Sequence, residues 1–359
     1  MELVFVSEGL RIGLRSLGRK LFGWKRYPGD VKAICDGILH DCWNGRFLCA
    51  SAGHFRQFYS RDIGIASPFL TDKREQGIAT LSYVIDRFAK AGKVTVAITP
   101  SGKPFDFPVF AVDSLPFLLR ALRVFKAASL VKTHKVFLES EIARWHSLVV
   151  AEDGFVKRNV HFSSMRDHAI RSSSCYDNAM VLLLKKEAAA LRLRTPPLTL
   201  TSQRFVKEFW TGAFFRDDRD VDAISGDANV VPFWLCVVDD RKKQKAAIQS
   251  LHDAGMDVPI PLCYTPTNAR PPKMIREEVF VPGWEYDARW MQSGLMFIQL
   301  AKQTNKDIYE ISSKALRENI LKNQNILEVF TPQGKPYKSA FYHADEGMLW
   351  GAALARKVL

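Results

Sequence analysis

An all-α fold is predicted from three features of the sequence. Apolar residues recur at spacings of three and four along most of the chain, alternating strand patterns are few, and loops of unusual composition return at a steady interval. Spacings of three and four place residues on one face of a helix. The sets Ile78, Leu81, Ile85 and Phe88, then Leu115, Leu118, Leu122 and Phe125, then Leu138, Ile142, Trp145 and Val149 form such stripes. Met180, Leu184, Ala188 and Leu191 follow, then Ile248 and Leu251, then Met291, Leu295 and Ile298, and then Ile308, Ile311 and Ala315. Short β segments are suggested only at Val94 to Ile98 and Val279 to Val281.

The loops mix aromatics, carboxylates and arginines. They are His54 to Asp62, Phe105 to Asp113, His161 to Asp177, Trp210 to Asn229, Pro282 to Asp287 and Glu328 to Trp350. They recur roughly every 50 to 60 residues, a period typical of repeated supersecondary units. A helical hairpin with both its loops needs about that length at ~1.5 Å rise per residue. If six such hairpins close into a toroid, every second loop lands at the same end, and all six converge on one mouth. Two Pro-rich breaks, Thr195-Pro196-Pro197 and Pro266 to Pro272, read as loops within one domain over residues 1–359, with residues 1–30 as an N-terminal helical extension.

Composition sets the class of partner. The 359 residues, 47% hydrophobic and 25% charged, suffice for a sizeable globular core. No apolar run reaches the roughly 18 residues of a membrane span. Charges at Glu2, Glu8, Arg11, Arg15, Arg19 and Lys20 interrupt the N-terminus, unlike a signal peptide. A cytoplasmic protein without a membrane partner is expected. The net charge of +13 can mark nucleic acid, an acidic membrane surface or an anionic substrate. The basic residues are dispersed, however, and the run Arg241 to Lys245 reads as a solvated helix start. Asp residues in the loops would repel phosphates, so nucleic acid is not an expected partner. Six scattered cysteines without a CxxC pair suit buried thiols. The histidines lack metal-ligand spacing, and Gly-x-Gly and P-loop patterns are absent, so no metal and no cofactor are expected.

Aromatics beside paired polar groups suit sugars. Aromatic faces cover the apolar face of a pyranose, while carboxylates and arginines bind hydroxyls in pairs. The loops offer Tyr59, Arg61, Asp62, Arg166, Asp167, Tyr176, Asp177, Trp210, Arg216, Asp217, Asp227, Asn229 and Trp284 as substrate contacts, and His343 to orient a water or a leaving group. Glycoside hydrolysis usually needs two carboxyl groups, one protonated and one ionised. Asp113 follows Phe107, Val109, Phe110 and Val112, an apolar setting that raises a carboxyl pKa. A plain helix N-cap is the competing reading. Glu328 stands in Ile326-Leu327-Glu328-Val329-Phe330, where a buried ion pair competes.

Phe58-Tyr59-Ser60-Arg61-Asp62-Ile63 resembles the aromatic-x-x-Arg-Asp segment of alkaline and neutral invertases and related six-hairpin glycosidases. Phe107 to Ser114, followed by Phe117-Leu118-Leu119-Arg120-Ala121, is similar to the invertase segment carrying the catalytic Asp, and to its counterpart in the amylo-α-1,6-glucosidase part of debranching enzymes. Ser163 to Asp167 and Cys175 to Ala179 resemble the sugar-binding segments that follow. Glu328 to Pro336 resembles the segment carrying the second carboxylate, and Phe341 to Trp350 the closing segment. The resemblance runs from about residue 30 to the C-terminus. It implies an (α/α)6 barrel and an inverting glycosidase in which Asp113 is the general acid, Glu328 the general base, and Arg61, Asp62, Asp167 and Asp177 hold the sugar. Many relatives have Trp-Met-Asp where this chain has Ser164-Met165-Arg166-Asp167, which bears on the identity of the sugar. Arg166, Arg171, Arg216 and Arg219 leave room for an anionic substrate. An epimerase or lyase on the same fold, and a non-catalytic carbohydrate- or nucleic-acid-binding protein, are the alternatives.

Overall fold

The computed structural model describes residues 3–270 and 272–359, so Met1 and Glu2 of the N-terminal extension and Pro271 of the second Pro-rich break lie outside it. The extension forms helix α1 (Leu3–Phe22). Beyond it, outer and inner helices alternate. The outer helices are α2 (Val31–Asp41), α4 (Arg74–Ala91), α7 (Lys135–Val149, preceded by the short α6, Ala128–Thr133), α9 (Ser202–Phe209), α11 (Arg241–Asp253) and α13 (Lys306–Asn323). The inner helices are α3 (Ser60–Ala66), α5 (Ser114–Val124), α8 (Cys175–Ala190), α10 (Gly226–Trp234), α12 (Met291–Thr304) and α14 (Leu349–Val358). The inner helices pack in the order α3, α5, α8, α10, α12, α14, and α14 packs against α3. The ring is closed, and the architecture is an (α/α)6 barrel.

Residue patterning explains which helix goes where. A helix apolar all round belongs inside, and one with a single stripe belongs outside. Every residue of α10 is buried, as are Ser114 to Leu122 of α5. On α13 the buried residues are Ile308, Ser312, Leu316 and Ile320, four apart, with Asn323 at the end. This corrects the expected stripe there: Ile311 is exposed, because Ser312 rather than Ile311 turns inward to the Asp257 carboxylate. The basic run Arg241 to Lys245 does open α11, where Asp240 accepts hydrogen bonds from the backbone N–H groups of Lys242 and Lys243. Cys35, Cys42, Cys49, Cys175 and Cys263 are buried, while Cys236 is exposed.

The stretches leading into inner helices are long: residues 42–59, 92–113, 150–174, 210–225, 254–290 and 324–348. Those leaving them are short. All inner helices are entered from one end, so the long stretches gather around their N-termini. Two small sheets tie neighbouring stretches together there. Strands β1 (Phe58–Tyr59), β2 (Ala97–Ile98) and β3 (Pro104–Phe105) pair antiparallel, joining the approaches to α3 and α5. Strands β4 (Arg289–Trp290) and β5 (Val329–Phe330) join the approaches to α12 and α14. The strand expected at Val94 to Ile98 is thus confined to its last two residues. The one expected at Val279 to Val281 is a 3-10 turn over Arg276–Phe280 with Val279 exposed, since nothing covers its apolar side among the described residues.

Gly294 of α12 shows how tightly an approach loop sits on the ring. A Cβ there would lie 2.2 Å from the Pro261 carbonyl oxygen, a backbone atom that cannot step aside. Gly294→Ala is expected to destabilise the protein by about 1–3 kcal/mol, measured by denaturant unfolding.

Candidate functional site

The first turn of α3 and strand β1 set Tyr59, Arg61 and Asp62 at the N-terminal mouth of the ring. Arg61 lies between two approach loops. Its Nε donates to Asp113 Oδ2 at 2.7 Å, and its Nη2 to Asp167 Oδ1 at 3.4 Å. Asp113 occupies the residue before α5 but makes no capping hydrogen bond. Its Oδ2 instead takes a second bond from the Tyr176 hydroxyl at 2.7 Å, and its buried Oδ1 has no partner among the described residues. The plain N-cap reading therefore fails. Burial raises the Asp113 pKa against the opposing pull of Arg61 and Tyr176.

Glu328 enters from the opposite side, just before β5. Its backbone N–H donates to the Asp345 carbonyl at 3.0 Å, and its own carbonyl accepts from Met291 N–H at 3.1 Å. The carboxyl has no cationic partner among the described residues, so the buried ion pair also fails. Glu328 Oε2 accepts from the Tyr342 hydroxyl at 2.5 Å. Burial first, and then the charge of Asp345, push Glu328 up to about 8. Asp62 is pushed by burial to about 7 against the pull of Arg61.

The pocket between these groups is lined by Tyr59, Arg61, Asp62, Asp167, Glu285 and Glu328, with Phe55, Phe107, Trp284, Trp290 and Trp350 supplying apolar walls. Trp284 presents a buried indole Nε1–H that has no acceptor among the described residues. One cation therefore faces four carboxyl groups among aromatic surfaces. The free volume is about 80 Å3, below the ~300–1,000 Å3 of typical small-molecule sites, so only a small group fits without side-chain movement.

Asp113, Tyr176 and Asp177 do not line this pocket. Tyr176 and Asp177 open α8 behind Arg61, and Asp113 lies beneath it. Burial pushes Asp177 up to about 6 against the pull of Arg171. Arg166, Asp217 and Asp227 sit deeper, in a closed ion network with Arg171. Arg166 bonds Asp217 and lies 3.3 Å from Asp227, while Arg171 bonds Asp227 at 2.8 Å and lies 3.5 Å from Asp217. Burial raises the Asp227 pKa, but Arg166 and Arg171 outweigh it and hold the carboxyl below its ordinary value. These charges pair with one another and do not line the pocket, although Arg166 Nε and Nη1 and Asp227 Oδ1 keep no hydrogen-bond partner among the described residues.

Other expected contacts lie away from the pocket. Arg216 pairs with Glu208 and Asp222 on the flank of α9. Trp210 packs edge-on against Phe215, and Asn229 clamps the Phe215 backbone with bonds of 2.6 and 2.8 Å. His343 stacks on Trp24, and its backbone N–H donates to Ser16 of α1 at 2.7 Å. Burial, and then nearby His54, lower its pKa to about 4.

Glu285 was not singled out by its sequence position. It accepts from the backbone N–H groups of Asp167, His168 and Ala169 at 2.7, 2.7 and 3.0 Å, and so carries the loop that presents Asp167. Its place between Trp284 and Tyr286, in one of the recurring loops, was the available signal.

No family model matches the chain, and no curated protein matches it by sequence. Solved structures do match. A rhamnosidase from Klebsiella oxytoca with rhamnose bound has a TM-score of 0.62 at 10% identity, over 92% of this chain and 64% of that one, so this chain spans less than two thirds of it. The GH63 mannosylglycerate hydrolase from Thermus thermophilus in complex with Tris and D-glycerate gives 0.60 at 12% identity, over 91% of this chain and 99% of that one. A Hormoconis resinae glucoamylase gives 0.60 at 10% identity, over 90% and 72%. At these identities the likeness shows a shared fold.

Proposed function

We propose that the chain is a glycoside hydrolase that releases a terminal neutral sugar by an inverting, two-carboxyl mechanism, with Asp113 as general acid and Glu328 as general base. The observation that carries this reading is a pocket at the N-terminal mouth of the inner ring where carboxyl groups and tryptophans converge from separate approach loops. The matched rhamnosidase, mannosylglycerate hydrolase and glucoamylase add support from the fold.

In this mechanism a sugar hydroxyl takes up the Arg61 donors and the Arg61 side chain swings off Asp113, which opens the buried carboxyl to the pocket. Asp113 then protonates the leaving oxygen, and Glu328 removes a proton from water on the opposite face of the ring. Tyr342 orients the Glu328 carboxyl. Asp62, Asp167 and the Trp284 indole N–H bind ring hydroxyls. Among the described residues Arg61 is the only cation in the lining, and it is already shared between two carboxylates. A neutral sugar therefore fits better than the anionic substrate that the arginine count suggested. No histidine among the described residues lines the pocket, which disfavours an epimerase or lyase built on histidine pairs.

The base role has a definite pH signature. A base must be ionised, and kcat/KM reports the free enzyme. With Glu328 pushed up to about 8 and Asp113 also raised, kcat/KM is expected to be bell-shaped, because the acid must be protonated while the base is ionised, with one limb near pH 8 that is absent from the residual activity of Glu328→Gln. A limb near pH 8 retained by Glu328→Gln would show that another group sets it. The reading as a whole is tested by incubation with disaccharides, sugar-acid glycosides and α-glucans, followed by reducing-sugar assay. Release from neutral substrates supports it, and release only from sugar-acid glycosides would remove the neutral-sugar assignment.

A further inference from the structure

Helix α1 is amphipathic in an inverted sense. Its polar side packs on the mouth of the barrel. Glu8 accepts from Gln57 Nε2 at 2.5 Å, Arg15 donates to the Gly53 carbonyl at 3.1 Å, Ser16 accepts from His343 N–H at 2.7 Å, and Lys20 donates to the Ser339 carbonyl at 2.7 Å. Arg19 pairs with Glu346. The opposite side carries Leu10, Leu14, Leu17 and Leu21, at 65, 71, 52 and 70% exposure, continued by Phe22 at 87%. Spacings of four, three and four keep these leucines on one stripe, and a run of large exposed apolar side chains marks an interaction surface.

Charge identifies what covers it. Glu8 is the sole carboxylate within α1, and its side chain is engaged with Arg11 and Gln57. Arg11, Arg15 and Lys20 border the stripe, and the exposed Arg26 follows it, next to Lys25, whose ammonium pairs with Asp41. A cavity of about 360 Å3 lined by Arg15, Arg19, Phe22 and Arg56 lies between α1 and the barrel, where the apolar stripe ends. Arg15 is held below its ordinary pKa first by burial and then by Arg11 and Arg56, against the pull of Asp345 and Glu8, so three cations meet there. A second copy of α1 would bring cations against cations. An anionic bilayer supplies phosphates to the cations and acyl chains to the leucines.

We propose that α1 docks the protein on an anionic membrane surface, lying in the interface plane with Leu10, Leu14, Leu17, Leu21 and Phe22 inserted and lipid phosphate groups on Arg15 and its neighbours. No helix among the described residues is long and apolar enough to cross a membrane, so the attachment is peripheral.

The test is sedimentation of the full chain with phosphatidylcholine vesicles, with and without about one third phosphatidylglycerol. Binding is expected to the anionic vesicles, at least about tenfold weaker to neutral ones, and weakened by salt near 0.5 M. The double variant Leu14→Ser/Leu17→Ser changes only exposed positions. It is expected to bind about tenfold or more weakly, with an unchanged thermal melt. Failure of the native chain to sediment with anionic vesicles would overturn the proposal, as would undiminished binding by the double variant. So would light scattering that shows a dimer of the native chain converted to monomer by the double variant, because the stripe would then belong to a second copy.

Discussion

Asp113→Asn and Glu328→Gln are each expected to lower kcat by about 10²–10⁴-fold, the range for loss of a general acid or base. Both changes preserve shape. Asparagine at 113 keeps an oxygen for Arg61 Nε and the Tyr176 hydroxyl, and glutamine at 328 keeps one for the Tyr342 hydroxyl. The fold should survive, as checked by circular dichroism. Glu328→Gln carries a second signature. The native carboxyl has its pKa raised from 4.5 to about 8, so the folded state holds a proton that the unfolded state releases between those values. Stability then falls as pH rises through this window. Removing the charge should raise Tm by roughly 2–4 °C above pH 8 and leave it unchanged near pH 4. Unchanged activity in both variants would remove the carboxyl pair from the mechanism, whatever the melting data show.

Arg166→Met is expected to be among the most destabilising single changes. Arg166 is fully buried, over the Tyr264 ring at 5.5 Å, and shares Asp217 and Asp227 with Arg171. Its loss leaves two buried carboxylates with one cation. Breaking a buried pair from one side costs about 3–5 kcal/mol, a fall in Tm of roughly 6–15 °C. Adding Asp217→Asn should recover part of the loss, because it removes the surplus charge. A double-mutant cycle measures this coupling. Additive losses would mean that the four groups do not act as one network.

Helix periodicity and recurring loops made the ring legible, because burial on one face leaves a spacing in the sequence. Asp113 was only half legible: an apolar run ending in a carboxylate at a helix start fits a plain N-cap as well as a raised pKa, and its lack of a capping bond is visible only in the structure. The carboxylates and arginines of the loops were less separable. Asp167, which lines the pocket, and Asp217, which neutralises Arg166, have the same chemistry and the same kind of neighbours in sequence. Only the path of the backbone decides which one faces the pocket. Glu285 was hidden differently, since the three backbone N–H groups that fix it belong to residues 167–169, in another approach loop. The direction of Ile311 was lost to a one-residue ambiguity in stripe phase, resolved by the buried contact of Ser312 with Asp257. The exposure of the α1 stripe could not be read at all, because an inward and an outward leucine face share the same spacing.

The measurement closest to the central claim is proton NMR of the sugar anomer first released from a neutral disaccharide of defined configuration, recorded before mutarotation. The two-carboxyl account predicts a single anomer of inverted configuration, formed by the native chain and by neither Asp113→Asn nor Glu328→Gln. Release of the retained anomer would contradict it, because Glu328 would then have to attack the sugar itself rather than activate water.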